Sequence, residues 1–149
     1  MPDRKGGPHR TGRFKVEIDD VEVPGWQEVS IPSSKTEQGS YREGNQAAYE
    51  KKVWGQTTYD DLEMTRGAKP GDTALVNWRT AVEQGQVDNG RKELAVVLMD
   101  EEGSPMIRWE FQSAWVKEYD PPDLDASSDG DIATESITVA YDKMQRKEV

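Results

Sequence analysis

The chain has 149 residues, a length that suits one domain, and its 29 acidic against 19 basic side chains give a formal net charge of −10. This negative balance disfavours nonspecific binding to nucleic acid, and the absence of cysteine excludes disulfides, thiolate zinc sites and cysteine nucleophiles. No apolar run approaches the roughly 18 residues of a membrane span, and the N-terminus lacks the apolar middle of a signal peptide. Five Trp and five Tyr nevertheless indicate a folded domain.

The first part of the chain predicts a flexible segment followed by two strands. Residues 1–13, rich in basic side chains, glycine and proline, predict a flexible basic arm that either frays or docks on an acidic neighbour. Residues 14–149 are predicted to form a single domain. FKVEID alternates apolar and charged side chains as a half-buried strand does, and a turn is expected over DDVEVPG. WQEVSIP predicts a second strand, with a bulge near Trp26 because its apolar residues break strict alternation.

The middle of the chain predicts a third strand and a helix. TYDDLEMTRG indicates a strand that starts near Tyr59 and ends at Gly67. In KPGDTALVNWRTAVEQGQ, Asp72 is the expected N-cap, apolar side chains recur at helical spacing, and Gly85 ends the helix. This is the one convincing helix of the sequence.

The second half predicts a hairpin and a final strand. LAVVLM is apolar on both faces and favours a strand covered on both sides, DEEGSP supplies a turn, and apolar residues alternate on the return strand. An acidic connector, KEYDPPDLDASSDGD, then leads to a last strand in IATESITVAYDKM. The predicted fold is mainly β (α+β): an antiparallel barrel or sandwich of about six to seven strands with one flanking helix.

The connection between the second and third strands is unusually long. Hairpin loops usually hold about two to five residues, and this connection is several times longer. It contains almost no aliphatic side chains, yet it carries Tyr41, Tyr49 and Trp54. Such an arm gains little by folding onto its own domain and predicts a segment that orders against a partner.

The residue types needed for catalysis are poorly represented. The one histidine, His9, lies in the predicted flexible arm, without the neighbours that would fix a catalytic or metal-binding imidazole. Asp125, Ser127 and Asp129 imitate the start of a calcium loop, but the twelfth position is Ser136 and no helix flanks it, so we expect a polar loop. We therefore expect no enzymatic activity, no bound metal and no cofactor.

The order of several short motifs resembles the tail tube proteins of long-tailed phages. These motifs run from Phe14 to about Tyr141 and are FKVEID, WxEVS, YREGN, YxxLxxxRG, LMDEEG, RWxxxxAW, DLDAS and ExITVAY. The YREGN block is the most characteristic piece. The likeness is to the myovirus-type tube family, which also supplies the inner tubes of contractile injection particles.

The resemblance implies a structural role in a virion tail or in the inner tube of an injection particle, assembled from protein made in the host cytoplasm. Six copies would form a ring, and stacked rings would form a hollow tube through which DNA or protein cargo passes without specific binding. The implied partners are further copies of the chain, with sheath, tape-measure and baseplate proteins as additional candidates, and no membrane.

The resemblance also implies which residues make contacts. The arm would contact a neighbouring subunit or the next ring through Tyr41, Arg42, Glu43, Gly44, Asn45, Tyr49, Trp54 and Gly55. Packing at strand ends would involve Arg66, Gly67, Trp109 and Trp115. Solvated charges at Arg42 and Glu43, and ordinary core packing of Trp54 and Trp115, remain alternatives.

Two questions stay open at the level of sequence. The acidic surface either repels a polyanion that moves through the lumen or reflects a halophilic origin, in which case acids would cover every exposed face. The alternatives to a main tube protein are a tube initiator or baseplate adaptor of the same fold, and, in a different class, a monomeric β-barrel binding module.

Overall fold

The computed structural model describes residues 13–41, 51–127 and 132–148. The strands within these ranges are β1 (Phe14–Ile18), β2 (Val21–Val23), β3 (Trp26–Ser30), β4 (Ser34–Tyr41), β5 (Lys51–Tyr59), β6 (Leu62–Gly67), β7 (Lys92–Met99), β8 (Pro105–Asp120), β9 (Thr134–Ala140) and β10 (Lys143–Glu148). The helices are α1 (Ala74–Glu83) and the single turn α2 (Val87–Gly90). The predicted mainly β fold with a flanking helix is confirmed.

The strand pairings are antiparallel and form one large sheet and one small one. The large sheet has the order β2-β1-β7-β8-β9-β6-β3, with β10 paired to β8 as a branch. Among the described strands, β4 and β5 pair only with each other. Because the end strands β2 and β3 do not pair with each other, the large sheet is not closed into a barrel.

The long strand β8 divides the large sheet into two halves. Its first part, up to Ala114, pairs with β7 and β10, whereas Trp115 to Asp120 pair with β9. At the junction Ser113 has a φ of +54°, and the register against β7 shifts between Lys92 and Leu94, as in a β-bulge. The "β1 half" comprises β2, β1, β7, β10 and the first part of β8, and the "β6 half" comprises β3, β6, β9 and the end of β8.

The hydrophobic core lies between the two halves of the sheet. One cluster of buried residues joins both halves to α1, and its members are Val16, Leu62, Met64, Leu75, Trp78, Leu94, Val96, Phe111, Ala114, Val116, Ile137 and Val139. Since β6 and β9 turn every second side chain inward, their apolar positions form a single surface against this core. The arrangement therefore matches the sandwich form of the prediction.

Three strands differ from the sequence expectation. The predicted turn over 19–25 is confined to Asp19 and Asp20, whose φ angles of +51° and +65° suit a tight hairpin, and the chain returns at once as β2. Tyr59 belongs to β5 rather than to β6, because Asp60 and Asp61 between the two strands are not in a strand. Strand β10 was not predicted; its residues are mostly polar and exposed, so its sequence shows little alternation.

Helix α1 packs on β8 with small differences from the predicted caps. Its N-cap is Thr73 rather than Asp72, although Asp72 Oδ1 accepts a hydrogen bond from the Ala74 N–H at 3.3 Å. Gly85, with a φ of +71°, follows the helix as predicted. The Arg79 guanidinium donates to two carbonyl oxygens of β8, both at 3.0 Å, and so fixes the helix on the strand.

Candidate assembly surfaces

The long connection seen in the sequence is a β-hairpin that projects from the domain. The "arm" is residues 34–59, of which β4 and β5 are the described strands. Every residue of 33–40 and 52–58 is exposed, and Trp54 retains 87% of its accessible surface. An isolated two-stranded hairpin is marginally stable in water, so a partner surface would add most of its stability.

The arm is held in register by its own backbone pairing. A side-chain hydrogen bond joins Thr36 Oγ1 and Thr57 Oγ1 at 2.8 Å, and the register shifts between Thr36 and Gln38. Gly55 lies within this irregular stretch, where a Cβ atom would stand 3.4 Å from the Glu37 carbonyl oxygen. A larger side chain at this position would therefore lie in contact with the backbone of the opposite strand.

An aromatic cluster anchors the base of the arm to the core. The Tyr141 ring lies 4.9 Å from that of Phe111 and 5.8 Å from that of Tyr59, measured between ring centroids. The Tyr141 hydroxyl donates to the Asp60 carbonyl oxygen at 2.8 Å. Burial, followed by the negative charge of Asp61, raises the pKa of Tyr141 to about 12. The direction in which the arm leaves the domain is therefore set by packed side chains.

Much of the predicted contact motif lies outside the described residues. This holds for Arg42, Glu43, Gly44, Asn45 and Tyr49. The backbone of Tyr41 ends β4, and its side chain also lies outside the description.

A buried ion pair lies at the end of the core. Arg66 retains 2% of its surface and Glu135 5%, and the Arg66 Nε donates to Glu135 Oε1 at 2.9 Å. Arg66 Nη2 stands 3.1 Å from Asp72 Oδ1 without the alignment of a hydrogen bond. The guanidinium carbon also lies 5.5 Å from the centre of the Trp26 ring, a cation–π contact.

The second oxygen of Glu135 is bound by a tyrosine. The Tyr119 hydroxyl donates to Glu135 Oε2 at 2.6 Å, and this bond, with burial, raises the pKa of Tyr119 to about 12. The sequence analysis singled out Arg66 but missed Glu135 and Tyr119. The alternation of the strands could have predicted this burial. Arg66 follows the buried Leu62 and Met64 at a spacing of two residues, and Glu135 precedes the buried positions of β9 at the same spacing.

The remaining predicted packing residues lie at three separate places. Gly67 ends β6 opposite Thr134. Trp109 is partly buried against the core from the β1 half. Trp115 is half-buried and stands opposite Ala140 where β8 passes from one half of the sheet to the other.

The outer face of the β1 half carries paired charges. Arg108 bonds Glu17 at 3.2 Å and Glu110 at 2.9 Å, and Lys147 bonds the other oxygen of Glu110 at 3.0 Å. Lys15 completes the network at 3.5 Å from Glu17. The hydrogen bond from Lys147 is the main reason that the pKa of Glu110 lies below its ordinary value. Charge on this face is thus largely compensated.

The outer face of the β6 half is different in character. Two cross-strand rows on this face contain only acids and hydroxyl residues, which are Glu28, Ser30, Glu63, Thr65, Glu118, Asp120, Ser136 and Thr138, and the adjacent row pairs Trp115 with Ala140. Within the described ranges these rows contain no basic and no aliphatic side chain. These two rows are therefore polar, and the only charges they carry are negative.

Residues that could hold a metal are not grouped in the described part of the chain, where no set of three or more His, Asp or Glu side chains forms a candidate site. Asp125 instead accepts hydrogen bonds from the backbone N–H and hydroxyl of Ser127, and Asp129 lies outside the described residues. Among the described helices, none is long and apolar enough to cross a membrane.

Comparison with known families identifies the class of the protein. The family model of the T4-like virus tail tube protein gp19 matches residues 10–145. The protein is a structural, non-enzymatic tail tube protein of a phage or of a contractile injection particle. The chain belongs to the T4-like virus tail tube protein gp19 family, as the resemblance predicted. A search of curated proteins found no significant match.

Solved structures agree with this assignment. A chain of the PVC sheath–tube complex, from an extracellular contractile injection system in the extended state, is 26% identical with a TM-score of 0.86, covering 97% of this chain and 95% of that chain. A chain of the anti-feeding prophage tube-terminating cap is 25% identical with a TM-score of 0.86, covering 100% and 97%. Hcp1 from Flavobacterium johnsoniae, at 16% identity and a TM-score of 0.55, covers 91% and 95% and shares the fold.

Proposed function

We propose that the protein assembles into hexameric rings that stack into a hollow tube, and that the tube conducts DNA or protein cargo. The observation that carries this proposal is the exposed arm. It presents Trp54 to solvent at 87% exposure on a hairpin that pairs with no other described strand, while its base is fixed to the core. A monomeric binding module has no need of such an ordered projection, whereas an assembling subunit uses it as a connector.

Sheet edges supply a second means of association. Strands β2, β3 and β10 each have one edge without a strand partner among the described residues. Free edges are a template for pairing with another chain. Lateral contacts between these edges would build the ring, and the arm would then join a subunit to a neighbour or to the next ring.

The outer face of the β6 half is the proposed wall of the lumen. A passing cargo must not adhere to the wall, and the two rows of acids and hydroxyls offer no apolar or basic contact to DNA. On the outer face of the β1 half, by contrast, acids are paired with basic side chains that DNA could contact. The uneven distribution also argues against a purely halophilic origin, which would spread uncompensated acids over both faces.

Partners outside the tube follow from the related assemblies. The similar chains belong to complexes described as sheath–tube, tube-terminating cap and baseplate. We extend contacts with sheath and baseplate proteins to this chain, and a tape-measure protein within the lumen remains part of the proposal. A few-copy initiator or adaptor of the same fold is the alternative within the family.

Electron microscopy of the purified full chain tests the proposal. Long hollow tubes with sixfold end views are expected at moderate salt. Single rings or short closed stacks would favour the adaptor, and a monodisperse monomer at all concentrations would contradict the proposal. Tubes that appear only at multimolar salt would assign the acidic surface chiefly to salt adaptation.

A further inference from the structure

The end of α2 carries a chemically labile pair of residues, Asn89 and Gly90. Of the three asparagines in the sequence, Asn89 alone precedes a glycine. A backbone nitrogen that follows asparagine can attack the side-chain carbonyl carbon of that asparagine. Glycine, which has no Cβ, leaves this nitrogen unshielded and the backbone free to turn towards it. The sequence therefore places one such pair in the short helical turn after α1.

Packing against α1 favours glycine at position 90. Gly90 is buried, and a Cβ atom there would stand 3.3 Å from Val82 Cγ2 and 3.7 Å from the Val82 backbone nitrogen. The Gly90 carbonyl oxygen also accepts a hydrogen bond from the Trp78 indole N–H at 2.7 Å. A larger residue would force Val82 or α2 to shift, so the close contact with α1 favours keeping the labile pair.

Two hydrogen bonds hold the pair in an unreactive form. The Gly90 N–H donates to the Gln86 carbonyl oxygen at 2.8 Å, which retains the proton that must leave before the nitrogen attacks. Asn89 Nδ2 donates to Gln86 Oε1 at 3.0 Å and directs the side-chain amide towards Gln86. Both bonds depend on the helical turn, so the pair is protected as long as α2 is formed.

The turn that gives this protection is short and solvated. Helix α2 has four residues, and its first three are exposed, with Val87 at 67%. A single helical turn fixes several residues for few hydrogen bonds, and such exposed elements open at low free-energy cost. Opening of α2 releases the Gly90 nitrogen and the Asn89 side chain together.

We propose that Asn89 is a site of spontaneous covalent modification whose rate is set by the opening of α2. In the opened turn the Gly90 nitrogen loses its proton to water or hydroxide and attacks Asn89 Cγ, ammonia leaves, and a cyclic succinimide forms. Addition of water to one carbonyl of the succinimide yields aspartate, and addition to the other yields isoaspartate. In sum, the chain takes up one water and releases one ammonia.

The isoaspartate product should loosen the contact between α2 and α1. In isoaspartate the main chain runs through the former side-chain carbon, so it is one methylene longer between positions 89 and 90. This extra length falls next to the Gly90 groups that contact Trp78 and Val82. Aspartate keeps the original main-chain length and should leave these contacts in place.

Peptide mapping of the full chain tests the site and its protection. The chain is incubated at mildly alkaline pH, either folded or unfolded in urea, and mass spectrometry quantifies aspartate and isoaspartate at position 89. The folded chain should react at least about tenfold more slowly than the unfolded chain. Asn77, which lies within α1 and precedes Trp78, is the internal control and should remain unmodified in the folded chain.

Two variants change the opening of α2 without changing the reacting pair. Asp88→Gly weakens the helical turn and should raise the folded-state rate, relative to the rate of the same variant in urea, about fivefold. Val87→Pro should lower this relative rate about twofold, because Val87 is the first residue of α2 and Gln86 before it is already extended, with a φ of −81° and a ψ of 95°. All chains are compared in one assembly state, so that contacts between copies do not enter the result.

Unfolding in urea tests the effect on α1. The isoaspartate-containing fraction, separated by ion exchange, should unfold at a lower urea concentration than Asn89→Asp, which carries the same charge on a normal main chain. Equal midpoints would overturn the link to α1. A folded chain that reacts as fast as the unfolded one, or relative rates that neither variant changes, would overturn the control by α2. A folded chain without any product at Asn89 after many half-lives of the unfolded chain would overturn the site itself.

Discussion

Removal of one partner alone from the buried pair of Arg66 and Glu135 should cause an unusually large loss of stability. Arg66→Met deletes the 2.9 Å hydrogen bond and leaves the Glu135 carboxylate, 5% exposed, with the Tyr119 hydroxyl as its main partner. Breaking a buried ion pair in this way costs about 3–5 kcal/mol. For a chain of this size each kcal/mol shifts Tm by roughly 2–4 °C, so we expect a Tm about 10 °C lower.

A double variant distinguishes charge burial from lost packing. Arg66→Met combined with Glu135→Leu removes both charges and fills the site with apolar groups of similar size, and it should recover most of the stability lost in the single variant. Urea unfolding and calorimetry should compare the four proteins at one protein concentration and in one assembly state, since association raises apparent stability. If Arg66→Met lost less than about 1 kcal/mol, or if the losses were additive, the pair would not be the buried, coupled element described above.

Three further predictions concern the tyrosines and the helix. The folded-state pKa of Tyr119 is raised to about 12 from an ordinary value of 10. Its neutral form therefore contributes stability that is complete below pH 10 and is lost as the pH rises towards 12. Tyr119→Phe should flatten the alkaline limb of a Tm–pH profile, and an unchanged slope would contradict this assignment. Tyr141→Phe removes the hydrogen bond to the Asp60 carbonyl oxygen and should lower the free energy of unfolding by about 1 kcal/mol in urea titration, with no loss expected if the hydroxyl were merely solvated. Trp78→Phe leaves the buried Gly90 carbonyl without its 2.7 Å indole donor and should cost about 1–3 kcal/mol by calorimetry, whereas a neutral result would show that water replaces the indole.

The sequence by itself determined the class of the fold and most of its elements. Period-two alternation from Phe14 and the apolar run around Val96 predicted strands correctly, because alternation reports directly which side chains turn inward. Gly85 predicted the end of α1, since a positive φ is a local property of glycine. The family resemblance, carried by the order of short motifs, is confirmed by the matching family model.

The tertiary structure alone decided how these elements share surfaces. The positive φ at Ser113, where β8 passes between the two halves of the sheet, could not be predicted from the sequence, because serine rarely adopts a left-handed conformation. Glu135 became the partner of Arg66, and Tyr119 that of Glu135, through strand pairings between segments that are separated along the chain.

The arm shows the same division most clearly. Its length and its tryptophan are readable from sequence, but its fixed base depends on contacts of Tyr59 and Asp60 with Tyr141, more than 80 residues further along the chain. Local pattern sets which segments become strands, whereas long-range pairing sets which surfaces they place together.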